Sequence, residues 1–183
     1  MRNIATTHLI DRVAAAYGQV CEEVPVGFKH ISAGMERLDA LIGGESSGGL
    51  TVRGHIQGKD GLYAASLLVE MLCVTGKPMS ALIQEIYDRF GEAHMAEYDW
   101  DLTEERKAQI QQLIMTDKKL PAFPRPVQRI SYLDGCKVYM EDAWIILRFS
   151  GTEPRVRVFA EAPTKEEASV LAKIMADFAG LPL

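Results

Sequence analysis

The order in which strand and helix patterns follow one another constrains this chain more than any single motif. As far as Gly91, short apolar strand patterns alternate with helical periodicity, which is typical of an α/β layer. After Gly91 come one strand, one helix, three strands in close succession and a final helix. This second order predicts a compact α+β domain. We therefore expect two domains, residues 1–92 and 93–183.

Capping and turn residues predict where the elements of the first domain begin and end. Thr6 and Thr7 should cap a first helix that Gly18 closes, and Asp60 should cap the helix in "LYAASLLVEMLCVTG". Between these helices, the glycine content of "IGGESSGGLTVRGHIQGKDG" predicts a shaped loop. A further helix in "SALIQEIYDRFG" should carry an apolar stripe formed by Leu82, Ile83, Ile86 and Phe90.

The second domain has its own turn and capping signals. Asp101 and Glu104 have capping-box spacing at the start of a helix, and Asp134 with Gly135 predicts the turn of a β-hairpin. The last helix should start at Thr164. We expect it to bury Ala168, Leu171, Ala172, Met175 and Phe178.

Composition excludes several classes of partner. Of the 183 residues, 48% are apolar and 25% charged, which is ordinary for a globular protein. The formal net charge of −5 argues against nucleic acid or an acidic membrane as a partner. The longest apolar stretch is interrupted by Glu70 and is too short to span a bilayer, and the N-terminus lacks the apolar core of a signal peptide.

Cysteine and histidine positions carry no metal-ligand spacing. Three cysteines, at 21, 73 and 136, lie far apart, and the four histidines are scattered. Free thiols indicate a reducing compartment, and we expect a cytoplasmic protein that binds no metal through these residues.

The segment "RFSGTEPRVR", residues 148–157, contains the strongest local signal for ligand binding. A glycine-containing turn with hydroxyls and a guanidinium offers fixed donors to one small anion such as phosphate. Arg155 and Arg157 share a face of the following strand, and either could add further donors. The alternative is a tight hairpin with solvated arginines.

The segment "GGESSGG", residues 43–49, is less specific. Glu45, Ser46 and Ser47 could exchange hydrogen bonds with sugar hydroxyls, and Lys59 would lie near the positive end of the following helix, where an anion can be held. It is neither a dinucleotide fingerprint nor a nucleotide P-loop, because the required glycine order and the Gly-Lys-Ser/Thr ending are absent. A glycine-rich surface turn with incidental serines remains the alternative.

Four segments together resemble, in family order, the C-terminal half of the α-D-phosphohexomutase superfamily, which includes phosphoglucomutase and phosphomannomutase. They are "VGFKHI", "GGESSGG" with its trailing "KDG", "EYDWDLTEE" and "RFSGTEPRVRVFAEA". The resemblance implies a sugar-binding α/β domain, truncated at its N-terminus, over residues 1–92. It also implies a small α+β phosphate-binding domain of the TATA-binding-protein type over residues 93–183.

The resemblance also assigns roles to individual residues. It implies that Glu45 and Ser47 contact sugar hydroxyls, that Gly27 and Phe28 line the sugar site, and that Lys59 reaches the reacting phosphate. The non-reacting phosphate would be held by Arg148, Ser150, Gly151 and Thr152, with Arg157 assisting. Many relatives carry a second acidic residue where Ser46 stands, so the loop does not distinguish glucose from mannose or an amino sugar.

Two family motifs do not occur in this sequence. Relatives carry an active-site serine in a Ser-His-Asn context and an Asp-Gly-Asp loop that holds Mg²⁺, both in earlier domains. The resemblance therefore implies that Mg²⁺ and phosphoserine belong to an N-terminal half missing from this chain, which binds no cofactor and contains no catalytic residue. We expect the chain alone to be inactive.

Three interpretations of the chain remain open. It could be a C-terminal fragment or excised piece of a hexose phosphate mutase, whose partners are hexose phosphate and the missing N-terminal domains. It could instead be a stand-alone sugar-phosphate-binding or regulatory module, or a structural remnant without a ligand. Missing cover on the first sheet would favour either a homodimer through the truncated face or contact with the missing domains.

Overall fold

The computed structural model describes residues 1–151 and 153–182 and divides the chain into two compact units, Met1–Glu92 and Ala93–Leu183. The first unit contains a mixed sheet with α-helices, and the second contains a fully antiparallel sheet with α-helices. This architecture confirms the predicted fold class, an α/β unit followed by an α+β unit.

The first unit has four short strands and four helices. Its elements are β1 (Arg2–Asn3), α1 (Leu9–Ala16), β2 (Glu23–Val24), α2 (Phe28–Leu38), β3 (Ile42–Gly44), β4 (Leu50–Val52), α3 (Gly61–Thr75) and α4 (Met79–Phe90). The sheet order is β2-β1-β3-β4. The first three strands run parallel, and β4 returns antiparallel to β3.

The glycine-rich segment differs from the expected loop, because it folds into a β-hairpin. Gly44 pairs with Leu50, and the turn between them is closed by hydrogen bonds from Glu45 N to Gly49 O and from Gly48 N to Glu45 O. Gly48 has a φ of +88°, a conformation that favours glycine. Glycines at such positions supply turn geometry, so a high glycine content does not exclude paired strands.

The helix ends of the first unit confirm the cap predicted for α3 and correct the cap predicted for α1, which is not Thr6 or Thr7. Asp60 caps α3, since its side chain accepts a hydrogen bond from Tyr63 N at 3.0 Å. At α1 the Thr7 hydroxyl accepts from Leu9 N at 3.1 Å, although His8 occupies the N-cap position. Gly18, with a φ of +65°, follows the end of that helix.

The hydrophobic core of the first unit is small. One cluster of four buried side chains, Met1, Val24, Ile31 and Met35, packs with Phe28 and Ala40. The helices α1, α3 and α4 bury no residue completely. The predicted stripe of α4 is therefore not a buried face, and its residues Ile83 and Ile86 are 43% and 38% exposed.

The helices of the described residues are short or only moderately apolar compared with membrane-spanning helices. No single helix is both long and apolar enough to cross a bilayer. Taken together, α3 and α4 are long and apolar enough to cross a bilayer, but the chain bends by 82° between them.

The second unit is built on a five-stranded antiparallel sheet. Its elements are β5 (His94–Asp101), α5 (Glu104–Gln111), a π-helical turn (Gln112–Thr116), β6 (Val127–Ser131), β7 (Cys136–Met140), β8 (Ala143–Phe149), β9 (Arg155–Ala162) and α6 (Lys165–Phe178). The strand order is β5-β9-β8-β7-β6, and the predicted turn at Asp134 and Gly135 joins β6 to β7.

One face of this sheet packs against the helices and forms an extended core. Alternate residues of β7, β8 and β9, such as Val138, Ile145 and Val158, are completely buried there. The helix α6 contributes Ala168, Leu171, Ala172, Met175 and Ala176. Phe178 was predicted to be buried but is only partly so, because the apolar face of α6 ends in Ala176 and Ala179.

Helix capping in the second unit confirms one prediction and corrects another. The Thr164 hydroxyl accepts a hydrogen bond from Glu167 N at 3.2 Å, as expected for the start of α6. The cap of α5 is Thr103, which accepts from Arg106 N, and not Asp101. Asp101 is the last residue of β5, so it lies two positions before the cap residue Thr103.

Candidate functional site

A group of polar residues follows the carboxyl ends of the three parallel strands in the first unit. Asn3 ends β1, Gly27 lies just beyond β2, and Glu45 follows β3 directly. In open α/β sheets this edge is where ligands bind, because the strand ends and helix N-termini converge there. We call Asn3, Gly27, Phe28, Glu45 and Lys59 the Glu45 cluster.

The Glu45 carboxylate receives hydrogen bonds on both oxygens. Its Oε1 accepts from Gly27 N at 2.9 Å and from Asn3 Nδ2 at 3.3 Å. Its Oε2 pairs with Lys59 Nζ at 2.8 Å. The Glu45 side chain is only 4% exposed, whereas that of Lys59 is 51% exposed, so the cluster opens to solvent on the lysine side.

This arrangement keeps the carboxylate ionised. Burial acts to raise the pKa of Glu45, but the hydrogen bonds from Lys59, Gly27 and Asn3 outweigh it and lower that pKa. A carboxylate has about four lone-pair sites, and three are used here. One acceptor site therefore remains for a donor such as a sugar hydroxyl.

Two glycines make the Glu45 cluster geometrically possible. Gly27, with φ +126° and ψ 121°, presents its N–H to Glu45 at the N-terminus of α2. A Cβ at Gly49 would lie 2.8 Å from Lys59 Cε, so the lysine stem can cross the hairpin only where no side chain stands. The Lys59 ammonium lies 5.6 Å from the ring centroid of Phe28.

The remaining predicted sugar ligand is not drawn into this network. Ser47 lies exposed in the turn between β3 and β4, and its hydroxyl forms no hydrogen bond with the described residues. Asp60 has a structural role, because it caps α3 and lies 3.0 Å from His55 Nε2, whose ring stacks on Tyr63.

In the second unit, residues 150–154 connect β8 to β9, and we call this connection the phosphate loop. Ser150 N donates to Arg155 O at 2.8 Å, and Glu153 N donates to the Ser150 hydroxyl at 3.2 Å. Lys107 of α5 donates from Nζ to Ser150 O and Glu153 O, at 3.0 and 3.1 Å. These bonds fix the loop backbone from one side and leave the N–H of Gly151 without an acceptor among the described residues. Thr152 lies outside the described residues.

Two arginines face each other across the base of the phosphate loop. Arg148 on β8 is the direct antiparallel partner of Arg157 on β9, and like charges in that position are unfavourable. Arg148 Nε donates to Asp134 Oδ2 at 2.9 Å. Arg157 forms no ion pair with the described part of the chain.

Arg155 has a different role from its neighbour Arg157. Its guanidinium pairs with Asp101 at 2.7 Å and with Asp99 at 3.2 Å. Bonding to Asp101 raises the pKa of Arg155 above its ordinary value. Arg155 is therefore engaged in fixing the edge of the sheet between β5 and β9, which leaves Arg157 as the second arginine available to an anion.

Profiles of known protein families match both units in order. "Phosphoglucomutase/phosphomannomutase, alpha/beta/alpha domain III" matches residues 1–90, and the C-terminal domain of the same family matches residues 103–178. The chain belongs to the phosphoglucomutase/phosphomannomutase family.

Individual relatives agree with this assignment. A phosphoglucomutase/phosphomannomutase of Thermococcus kodakarensis is 32% identical over 90% of this chain and 34% of its own length. A phosphoglucosamine mutase of Bacillus cytotoxicus is 32% identical over 82% of this chain and 30% of its own length. The chain thus spans about a third of the length of these curated relatives.

The fold assignment is supported by solved structures. A phosphoglucomutase/phosphomannomutase family protein from Burkholderia thailandensis superposes with a TM-score of 0.73, covering 98% of this chain and 37% of that one. Its sequence identity is 19%, so this likeness concerns the fold.

The sequence alone did not identify Asn3, Lys107 and Asp134 as contributors to the Glu45 cluster and the phosphate loop of these phosphoglucomutase/phosphomannomutase domains. Asn3 carried a detectable signal, since it stands at the carboxyl end of a strand in an α/β pattern. Lys107 and Asp134 carried none, because they lie 43 and 14 residues from the groups they contact, Ser150 and Arg148. Only the tertiary fold brings them to the phosphate loop.

No group of three or more His, Cys, Asp or Glu side chains arranged to hold a metal ion occurs in residues 1–151 and 153–182. Asp99 and Asp101 are bonded to Arg155.

Proposed function

We propose that this chain supplies the sugar-hydroxyl and phosphate contacts of a phosphohexomutase that interconverts hexose 1-phosphate and hexose 6-phosphate through a phosphoserine. The Glu45 cluster would bind sugar hydroxyls, with Lys59 directed to the reacting phosphate. The phosphate loop would hold the non-reacting phosphate through Arg148, Ser150, Gly151 and Thr152, assisted by Arg157.

The arginine pair is the observation that carries this proposal. Arg148 and Arg157 are direct cross-strand partners at the base of a loop whose backbone accepts hydrogen bonds from Lys107. A phosphate dianion would neutralise this like-charge pair and accept from the Gly151 N–H and the loop hydroxyls. Each charge-assisted contact contributes about 1.5–3 kcal/mol when partly shielded.

Under this proposal, phosphoryl transfer depends on residues that this sequence does not contain. The Ser-His-Asn and Asp-Gly-Asp motifs are absent from the sequence, so the phosphoserine and Mg²⁺ would be supplied by other domains of a longer enzyme. The chain would position the substrate, which supplies much of the rate in phosphoryl transfer.

A second candidate is a stand-alone sugar-phosphate-binding or regulatory module. Binding of a sugar phosphate by such a module would need only the contacts of the Glu45 cluster and the phosphate loop. Both candidates share the same contacts to hexose phosphate and differ only in whether catalytic domains join them.

Complementation tests the mutase proposal. The purified chain should show no turnover of glucose 1-phosphate with Mg²⁺ and the bisphosphate activator. Addition of a separately produced N-terminal part of a relative such as the Thermococcus kodakarensis enzyme should restore measurable turnover. Turnover by the chain alone that survives further purification would contradict the proposal, and no recovery with two folded parts would favour the stand-alone module.

We also propose self-association through the exposed apolar face of α3. Leu62 and Val69 lie on one face of this helix, seven residues apart, and are 85% and 59% exposed, which is unusual for large apolar residues. Sedimentation of the chain should give a dimer mass. A double exchange of Leu62 and Val69 for Glu should return the mass of a monomer, and a monomer before the exchange would contradict this proposal.

A further inference from the structure

The turn between β6 and β7 lies directly against the strand that carries Arg148. A Cβ atom at Gly135, whose φ is +90°, would lie 2.9 Å from Arg148 Cα and closer still to the Leu147 carbonyl oxygen. Both the left-handed φ and the lack of space require glycine here. This close approach brings Asp134, the preceding residue, within reach of the Arg148 side chain.

Asp134 holds the Arg148 guanidinium from its stem side. Its Oδ2 accepts from Arg148 Nε at 2.9 Å, and the two side chains are 22% and 16% exposed. The Nη1 and Nη2 groups form no hydrogen bond with the described residues and keep their donors for another acceptor. Because the guanidinium is a rigid plane, a fixed Nε also fixes the direction of these donors.

Attraction of the phosphate by charge does not explain why the Asp134 carboxylate stands beside Arg148. An acid beside a phosphate-binding arginine lowers the positive charge that attracts the dianion, which weakens long-range attraction. It also restricts a side chain with large rotamer entropy before the ligand arrives, which lowers the entropic cost of binding. The neighbouring Arg157 has no ion pair among the described residues, so the pair keeps a net positive charge.

We propose that Asp134 is a positioning residue for phosphate binding, which orients the Arg148 guanidinium without itself touching the ligand. This inference rests on the proposed function of the phosphate loop. Two substitutions separate the charge of the Asp134 carboxylate from its ability to accept a hydrogen bond. Asp134→Asn keeps an acceptor oxygen and removes the charge, whereas Asp134→Ala removes both.

The test compares four forms of the full chain, titrated with glucose 6-phosphate and followed by NMR at the Gly151 amide. Asp134→Ala should weaken the affinity about three- to tenfold, because Arg148 must then be ordered by the ligand. Asp134→Asn should remain within about threefold of the unchanged chain. Asp101→Ala, which breaks a matched Arg–Asp pair at Arg155, should change affinity by less than about twofold.

A ligand-free readout separates this inference from the proposed function. The Nε–Hε signal of Arg148 should shift and exchange faster with water in Asp134→Ala but stay close to its original position in Asp134→Asn. If the unchanged chain shows no shift at Gly151 with glucose 6-phosphate, the proposed function fails. If it binds and a folded Asp134→Ala binds as tightly or more tightly, Asp134 is only a counter-charge and the inference is wrong. Should the alanine variant unfold, a loss of about tenfold in Asp134→Asn would overturn the inference equally.

Discussion

The Glu45 cluster and the phosphate loop satisfy their charges in opposite ways. The buried carboxylate of Glu45 receives three donors from its own unit. At the phosphate loop, Arg148 and Arg157 face each other, and the ion pair with Asp134 reaches only the first of them. Glu45, which already accepts three hydrogen bonds, contributes to stability and has room for one further donor. Arg148 and Arg157 share only one carboxylate, so this pair favours an anion. We therefore expect mutations at Glu45 to affect folding first, and mutations at Arg148 to affect binding first.

The largest expected effect is the loss of phosphate binding in Arg148→Ala. Removal of a guanidinium with two free donor groups should weaken binding of glucose 6-phosphate by at least about a hundredfold, since each contact contributes about 1.5–3 kcal/mol. We expect millimolar affinity for the unchanged chain, weakening as salt rises. Phosphorus NMR of the ligand measures both values.

Arg155→Ala is the matched control, because Arg155 lies on the same strand face but is engaged by Asp99 and Asp101. It should change the affinity by about twofold at most. Equal losses in both variants would mean that the segment attracts anions only through its general positive charge.

The second effect concerns the stability of the first unit. Glu45→Ala leaves the buried Asn3 amide and the Gly27 N–H without their acceptor, so the free energy of unfolding should fall by about 2–3 kcal/mol. Urea unfolding followed by amide signals of residues 1–92 measures the change. Ser46→Ala, at an exposed position in the same turn, should stay within about 0.5 kcal/mol of the original stability.

A smaller effect should appear as a pH dependence. The pKa of Glu45 in the folded chain lies below its ordinary value of 4.5, so the unfolded chain binds the proton more readily. The stability that ionised Glu45 contributes is present above about pH 4.5 and lost as the pH falls through the folded pKa. The difference in unfolding free energy between the unchanged chain and Glu45→Gln should therefore shrink below pH 4.5. A constant difference would show that Glu45 has the same pKa in the folded and the unfolded chain, which would contradict the prediction.

The smallest expected effect is that of Lys107→Met, which keeps the stem of the side chain and removes the ammonium. The carbonyl groups of Ser150 and Glu153 would lose one shared donor, and the phosphate loop should become more mobile. Affinity for glucose 6-phosphate should fall about two- to fivefold. Faster amide exchange at Gly151 would accompany this change, and unchanged exchange would exclude Lys107 as a brace.

Sequence patterns predicted the fold well where local chemistry decides it. The hairpin turn at Asp134 and Gly135 and the caps at Asp60 and Thr164 were all correct, because a turn or cap depends on residues a few positions apart. The cap of α5 was placed at Asp101 instead of Thr103, since two acceptors within three residues compete and strand pairing decides between them.

Longer-range relations could not be predicted in the same way. The apolar stripe of α4 has helical periodicity, but burial depends on a packing partner that no local pattern specifies. The three supporting contacts of Asn3, Lys107 and Asp134 each join residues at least 14 positions apart. Glu45 and Arg148 were predicted from their segments, yet the groups that orient them were visible only in the fold.

The most direct test of phosphate binding is a titration of the full chain with glucose 6-phosphate in the absence of metal, recorded as backbone amide shifts. The account predicts that the shifts cluster at Ser150, Gly151 and Glu153 and saturate at millimolar ligand. Loss of these shifts in Arg148→Ala, with the rest of the spectrum unchanged, would complete the prediction. Shifts spread evenly over the surface, or an unaffected Arg148→Ala variant, would contradict it and leave the segment as a hairpin turn with solvated arginines.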